Sequence, residues 1–332
     1  MVDVARAAGV SLATVSAAIN GSAPVSAELK ARVQAAVAEV GYQVNAVARS
    51  LKKGSTGTIG LMITDITNPF FTNVIHSIQD AAHRRGYSVM LCCSDEDPAK
   101  ERLHLQLLID RMVDGLIIAT AGHTDELHAL WRSGRIPIVL IDRLIDGIDA
   151  DAVIIDNAAA TRDAIRHLLG LGHRRIGIIT GRREISTSRE RYEGYCQAMV
   201  EAGLPVDDAL IAPAVRFSSQ DGYGAAMKLL ALPDRPTAIF ASNNLSAIGL
   251  MRAIKDMGLT CPDDVSVACF DDFDWANVFH PRLTTVAQPT QAIGVQATTM
   301  LLERLKDTAG PPRVIRLKAE LRVRDSSIVR TL

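Results

Sequence analysis

The fold at the start of the chain is decided by the stretch VARAAGVSLATVSAAING, residues 4–21. Val4, Ala5 and Ala8 recur at helical spacing and share one face, which predicts a short first helix. Gly9 allows the tight, left-handed turn that commonly ends a helix. A second helix is therefore expected directly after this turn.

The second helix is predicted from Leu12 to Ile19, because Ser11 is a preferred N-cap residue and Asn20-Gly21 is a stop signal. A third helix is predicted from about Ser26 to Gly41, with an apolar stripe of Leu29, Val33, Val37 and Val40. Three short helices with a small apolar centre and a glycine-containing turn are typical of a helix-turn-helix. The second helix of that motif reads DNA.

Charge is unevenly distributed along the 332 residues. Residues 1–56 hold six basic and three acidic side chains, a charge of +3, whereas the whole chain carries −1. A basic head on a mildly acidic body fits a DNA-facing module joined to a body that does not face DNA. The composition, 48% hydrophobic and 22% charged, is that of a globular protein with two or three domains.

Several classes of protein are disfavoured by what the sequence lacks. The five cysteines show no C-x-x-C spacing, so we expect reduced, mostly buried thiols and no disulfide framework or metal site. The sequence contains no G-x-G-x-x-G after the first strand, no P-loop and no H-E-x-x-H, and we therefore expect no cofactor and no catalytic residues. No apolar run approaches about 18 residues and no leader precedes the first helix, which predicts a cytoplasmic protein without membrane contact.

From Thr58 onward, short apolar runs alternate with helical patterns. The strand-like runs are 59–64, 87–93, 114–119, 136–141, 153–155, 176–180, 238–241 and 265–270. The helical patterns are 70–85, 100–111, 159–171, 188–202, 245–257 and 290–306. Alternating apolar strands and helices predict an α/β fold with parallel sheets covered on both faces, and the length of the pattern favours two doubly wound lobes.

The motifs, in this order, resemble the lactose-repressor/galactose-repressor (LacI/GalR) family of bacterial transcription regulators. The matching stretches are residues 4–21, PVS at 24–26, GYQVNAVARSLKKG at 41–54, TIGLMITDITNPFF at 58–71, VDGLII at 113–118, GHRRIGIITG at 172–181, RYEGY at 191–195, PTAIFASNN at 236–244 and LTTVAQP at 283–289. The resemblance spans nearly the whole chain. It implies a repressor that is a homodimer on a pseudo-palindromic double-stranded operator and is controlled by a small effector.

The family pattern also implies the domain boundaries. A helix-turn-helix domain takes 1–44, a hinge helix with linker takes 45–56, and a two-lobed core like the periplasmic binding proteins takes 57–332. Lobe one is expected at about 57–157 and 289–317, and lobe two at about 158–288 and 318–332.

The resemblance places the base-reading positions at Leu12, Ala13 and Ala17, none of which donates a hydrogen bond. Because the family commonly has arginine where this chain has Ala17, thymine-methyl contacts replace bidentate guanine recognition. The candidates for hydrogen bonds to phosphates or bases are Thr14, Ser16 and Asn20.

The hinge segment of the family matches residues 45–52. A helix this short is unstable alone in water, so it is expected to form only beside its dimer mate in the minor groove. Leu51 matches the leucine that wedges between the central base pairs. The other expected DNA contacts of the segment are Asn45, Ala48, Arg49 and Lys52.

An effector cleft is expected where the strands of the core end. Its candidate residues are Phe70, Phe71, Asp142, Arg143, Thr187, Arg191, Phe217, Asn243, Asp271 and Trp275. Carboxylates and amides suit vicinal hydroxyls, and aromatic rings cover C–H faces, so a sugar or sugar derivative is the predicted effector. Because the two arginines suit a carboxylate, a sugar acid stays open.

Other functions stay open as alternatives. A purine-type corepressor is disfavoured because the family pattern then expects a cation two residues before Thr187, where this chain has Ile185. A periplasmic-type solute receptor is disfavoured by the DNA module. An enzyme is disfavoured by the lack of a nucleophile–base or metal constellation.

Overall fold

A computed structural model of the chain describes residues 1–21, 23–42, 55–122, 125–307 and 309–329. It divides into two compact units, Met1–Thr56 and Gly57–Leu332. Each unit has a hydrophobic core of its own.

Within residues 1–21 and 23–42, the N-terminal unit contains three helices, α1 (Val2–Ala8), α2 (Leu12–Asn20) and α3 (Ala27–Val40). Gly9 ends α1 and Gly21 ends α2, with left-handed φ values of 62° and 63° that a glycine adopts without steric cost. Ser11 caps α2, since its Oγ accepts a hydrogen bond from the backbone N–H of Thr14 at 3.1 Å. The three predicted helices are present.

The core of this unit is formed by Val4, Ala8, Val15, Val33 and Ala36. The prediction that Val40 belongs to the buried stripe of α3 is wrong, because Val40 is 41% exposed. The 14-residue α3 is longer than the helices of 7 and 9 residues that pack on it, so its last turn is left uncovered.

Within the described residues, the second unit contains two six-stranded sheets. The first sheet is parallel throughout, in the order β11-β5-β4-β3-β1-β2. Its strands are β1 (Thr58–Ile63), β2 (Ser88–Cys93), β3 (Gly115–Ile118), β4 (Ile138–Ile141), β5 (Asp151–Ile155) and β11 (Val314–Leu317).

The second sheet has the order β12-β10-β9-β8-β6-β7. Only β12, which pairs with β10, is antiparallel to its neighbour among these strands. The strands are β6 (Ile176–Thr180), β7 (Ile211–Pro213), β8 (Ala238–Ala241), β9 (Ser266–Phe270), β10 (Thr284–Ala287) and β12 (Glu320–Arg322).

Helices connect the strands of both sheets. They are α4 (Pro69–His83), α5 (Pro98–Asp110), α6 (Asp125–Ser133), α7 (Asn157–Gly170), α8 (Ser186–Glu201), α9 (Ser219–Leu230), α10 (Asn244–Asp256) and α11 (Thr290–Lys306), with short 3₁₀ helices at Asp208–Leu210 and Asp274–Asn277. The chain passes between the lobes after β5, after β10 and after β11. This gives the two doubly wound lobes that the sequence predicts.

The predicted strands and helices of the core lie within two residues of the observed ones. Four strands (β7, β10, β11, β12) and two helices (α6, α9) were not predicted. β11 and β12 are edge strands with exposed and half-buried side chains, so they lack the continuous apolar run of a central strand. Two glycines weaken the helical signal of α9.

Candidate functional site

A cavity lies between the two lobes, where parallel strands of both sheets end. The space between its lining atoms, counted together with the solvent at its open side, is about 350 Å³. It is lined by Thr64, Asp65, Asn68, Phe70, Phe71, Glu96, Asp142, Arg143, Thr187, Arg191, Phe217, Asn243 and Asp271. Open α/β sheets bind ligands at this edge, so the cavity is the candidate effector site.

Each lobe contributes one buried aspartate at the end of a strand. Asp142 follows β4 and Asp271 follows β9, and both are less than 10% exposed. Their φ values, 64° and 70°, lie in the left-handed region that residues other than glycine rarely adopt. Strained backbone of this kind clusters at functional sites, where the surrounding structure holds it in place.

Arg143 is held by the first lobe. Its Nη2 donates to Glu96 Oε1 at 2.6 Å, and its Nη1 donates to Glu96 Oε2 at 2.9 Å and to the carbonyl oxygen of Thr120 at 2.7 Å. Its Nε lies 3.4 Å from Asp142 Oδ2. The bidentate pair with Glu96 fixes the plane of the guanidinium and compensates its charge.

Arg191 is held by hydrogen bonds to the start of α7 and to the end of β8. Its Nε donates to Asn157 Oδ1 at 2.9 Å, and its Nη1 donates to the carbonyl oxygen of Ser242 at 2.6 Å. The guanidinium lies 3.7 Å from the centre of the Phe270 ring. Arg191 is 4% exposed, so these contacts replace water as its partners.

Asp271 accepts a hydrogen bond from Gln288 Nε2 at 2.6 Å. Burial raises the pKa of Asp271 to about 6, although the nearby Arg191 and the Gln288 hydrogen bond both act to lower it. Burial also raises the pKa of Asp142, in spite of Arg143 and Arg191. Above pH 6 the ionised Asp271 therefore costs stability, and this cost is relieved as the pH falls towards the pKa of the unfolded chain.

The raised pKa of Asp271 predicts a pH-dependent effector affinity. An ionised carboxylate accepts two or more hydroxyl hydrogen bonds, and protonation removes an acceptor. The dissociation constant of the effector should therefore rise as the pH falls below 6, by up to about tenfold per pH unit. Titration calorimetry between pH 8 and pH 5 measures this, and Asp271→Asn should lose the part of the dependence centred near pH 6. A parental affinity that stays constant over this range would contradict the role of Asp271.

Aromatic rings form the apolar walls of the cavity. Phe70 and Phe71 contact each other edge to face with their centres 4.9 Å apart. The ring of Phe217 lies 5.4 Å from the guanidinium of Arg143. Trp275 lies outside this lining, contrary to the prediction, because the 3₁₀ helix at 274–277 leaves it 54% exposed and packed against Phe273 at 5.9 Å.

The other nine predicted effector residues all line the cavity. Thr64, Asp65 and Glu96, which are not among the predicted cleft residues, also line the cavity, as does Asn68. Asn68 caps α4 through Phe70 N at 2.9 Å and also accepts from Asn244 Nδ2 at 2.9 Å, which joins the two lobes. Glu96 follows β2, and the rule that ligands bind at strand ends would have found it.

The predicted reading residues lie on α2. Leu12 is 49% exposed and Ala13 is exposed, whereas Ala17 is half-buried. Thr14 and Ser16 are half-buried, and the Thr14 hydroxyl lies 2.8 Å from Ser11 Oγ. Val15 points into the core, so the start of α2 presents Leu12 and Ala13 to solvent.

Some DNA-contact predictions fall outside the described part of the chain. These are the side chain of Asn20 and the hinge residues Asn45, Ala48, Arg49, Leu51 and Lys52.

Other kinds of site were also sought among the described residues. No three His, Cys, Asp or Glu side chains are grouped to hold a metal ion there. Cys92 and Cys269 are buried, and Cys93, Cys196 and Cys261 are partly buried; all are free thiols. No single helix in the described ranges has the length and apolar character to cross a membrane. Taken together as a bent pair, α1 and α2 are long and apolar enough by length and composition alone.

Comparison with known proteins relates both units to one family. Residues 1–45 match the bacterial regulatory proteins of the lacI family, and residues 56–324 match the periplasmic binding proteins and sugar binding domain of the LacI family. The HTH-type transcriptional repressor PurR of Photobacterium profundum is 38% identical over 325 residues, covering 98% of this chain and 97% of that protein.

Two solved structures extend the match. A LacI family transcriptional regulator from Enterococcus faecium with bound ribose is 32% identical, with a TM-score of 0.75 over 82% of this chain and 100% of that one. The Lac repressor dimer bound to operator and the anti-inducer ONPF is 27% identical, with a TM-score of 0.87 over 98% of both chains. The chain therefore belongs to the LacI family of bacterial transcription regulators and is an effector-controlled, DNA-binding repressor.

Proposed function

We propose that the effector is a small neutral sugar bound in the cavity between the lobes. The observation that carries this proposal is the charge balance of the lining, in which four carboxylates (Asp65, Glu96, Asp142, Asp271) face two guanidinium groups (Arg143, Arg191). Sugar hydroxyls donate hydrogen bonds to carboxylates, whereas an anionic ligand would be repelled by the net negative charge of the lining.

The guanidinium groups of both arginines already have hydrogen-bond partners within the protein. Both terminal nitrogens of Arg143 bind Glu96, and Arg191 binds Asn157 and the carbonyl of Ser242. This disfavours the sugar acid that the sequence leaves open. The phenyl walls suit the C–H faces of a sugar ring, and the ribose complex of the Enterococcus faecium relative supports a pentose as the first probe.

A purine-type corepressor is the second candidate, favoured by the identity to the PurR repressors. Against it stands Ile185, which is buried and apolar where the family pattern expects a cation for a purine. Its side chain contributes no hydrogen bond donor, and it is not part of the cavity lining.

A thermal-shift panel tests the effector class. The probes are D-ribose, D-xylose, D-glucose, D-gluconate, adenine and guanine. A probe at 100 times its Kd adds about 2.7 kcal/mol of stability, so one neutral sugar should raise the melting temperature clearly. Stabilisation by gluconate or a purine, with none by the neutral sugars, would overturn the proposal.

We also propose how the units divide the work. Residues 1–44 bind the operator through Leu12, Ala13 and Ala17, the hinge 45–56 folds on DNA with Leu51 as a wedge, and 57–332 binds the effector. The active species is a homodimer on a pseudo-palindromic operator, in line with the Lac repressor dimer. Effector closure changes the spacing of the two first lobes and so couples the two binding equilibria.

A further inference from the structure

Phe217 forms part of the boundary between two cavities. It lines the candidate effector site, and it also lines a larger outer cavity that we call the vestibule. The vestibule is lined by Asp95, Glu96, Asp97, Lys100, Arg182, Ile185, Val215, Arg216 and Phe217. Only Phe217 and Glu96 are common to both linings, so the position of the Phe217 ring limits the inner cavity on this side.

Gly181, directly after β6, makes room for that ring. A Cβ atom added at Gly181 would lie 2.6 Å from Cζ and 2.8 Å from Cε1 of Phe217, and 2.5 Å from Ser188 Oγ. Real Cβ atoms essentially never approach other atoms to under 3.0 Å. The φ of Gly181 is outside the left-handed region, so the backbone does not require glycine at this position.

We infer that Gly181 determines effector affinity by setting the position of Phe217. The missing side chain leaves a slot for the edge of the ring, and the ring then closes the cavity around a ligand of limited size. Gly181 does not line the cavity, so it is a positioning residue. This inference rests on the proposed function, because it takes the cavity to be the effector site.

An alanine at position 181 must displace the ring or the Ser188 hydroxyl. The Phe217 ring faces the guanidinium of Arg143, which Glu96 holds in place, so the ring can shift only with a change in the shape of the cavity. A small sugar then loses contact with one wall. Because the half-buried ring forms one wall of the cavity, we expect a shift of this kind to lower the affinity.

The experiment is a double-mutant cycle with D-ribose as the probe, read by titration calorimetry. Gly181→Ala should weaken ribose binding by about tenfold or more, a coupling usual for contacting residues. In the Phe217→Ala background, where the contacted ring atoms are gone and only the Ser188 hydroxyl has to move, the same change should have a much smaller effect. Gly224→Ala in α9 is the matched control, because its added Cβ meets nothing within 4 Å.

Three outcomes with folded variants would overturn the inference. They are parental affinity in Gly181→Ala, an equal loss in the Phe217→Ala background, and full rescue of Gly181→Ala by Ser188→Ala. If Gly181→Ala loses its fold, Gly181→Ala with Phe217→Leu should regain operator binding, and a double variant that stays unfolded also overturns it. If the parent chain does not bind D-ribose, or if Phe217→Ala binds it as tightly as the parent does, the proposed function is refuted instead.

Discussion

Replacing Arg191 with methionine is expected to abolish effector binding while operator binding persists. Arg191 lies in the cavity lining and is 4% exposed. Its Nε and one Nη are used by Asn157 and the Ser242 carbonyl, and its charge offsets those of Asp271 and Asp142. Removing this buried cation leaves the carboxylates that it offsets without compensation, so we expect the affinity to fall by about tenfold or more.

Titration calorimetry with D-ribose and gel-shift assays with operator DNA measure the two activities of the Arg191→Met chain. Arg166→Met on α7 is the matched control, since Arg166 pairs with Glu201 at the surface and such pairs contribute little. Arg191→Lys keeps the positive charge and is the second variant to measure if Arg191→Met does not fold. A folded Arg191→Met or Arg191→Lys chain that binds ribose like the parent contradicts the site.

Replacing Ala17 with arginine is expected to give the repressor a guanine preference at one position of each half-site. Ala17 lies one turn of α2 after the exposed Ala13, is itself half-buried, and offers no side-chain hydrogen bond. An arginine there donates two hydrogen bonds to O6 and N7 of guanine, which is worth about 1–3 kcal/mol against other bases. Binding-site selection at fixed salt, followed by titration of single-base variants, measures this preference.

Ala35→Arg on α3 is the control, because residue 35 is exposed and adds the same charge away from α2. It should raise affinity for all sequences alike and make binding more salt-dependent. A strong guanine preference of the parent opposite Ala17 would contradict the assignment, and so would equal selectivity of Ala17→Arg and Ala35→Arg.

Much of this architecture could be predicted because it rests on local signals. Ser11 caps the start of α2 and Gly21 caps its end, and all the residues that these caps involve lie within one short stretch of sequence. Asp142 and Asp271 were predictable because they directly follow continuous apolar strands, and parallel strands meet at one edge. The effector-binding role that we propose for Arg191 came from the family resemblance rather than from the sequence pattern of α8.

The rest depends on contacts between distant parts of the chain. The strand-end rule makes Glu96 one candidate among several polar residues of its turn, and its pairing with Arg143, 47 residues later, is the contact that distinguishes it. The Asn68–Asn244 bond joins residues 176 apart. Trp275 was a candidate because its ring offers a flat apolar surface, whereas the 3₁₀ helix that leaves it exposed outside the lining has no clear sequence signal.

The central claim is that one chain holds two coupled sites, one for operator DNA and one for a sugar. The most direct test measures the affinity of the full chain for a selected operator with and without saturating D-ribose. Ribose should change this affinity by a factor between about 5 and 150, and operator DNA should change the ribose affinity by the same factor. The account is contradicted if ribose binds and the operator affinity stays the same.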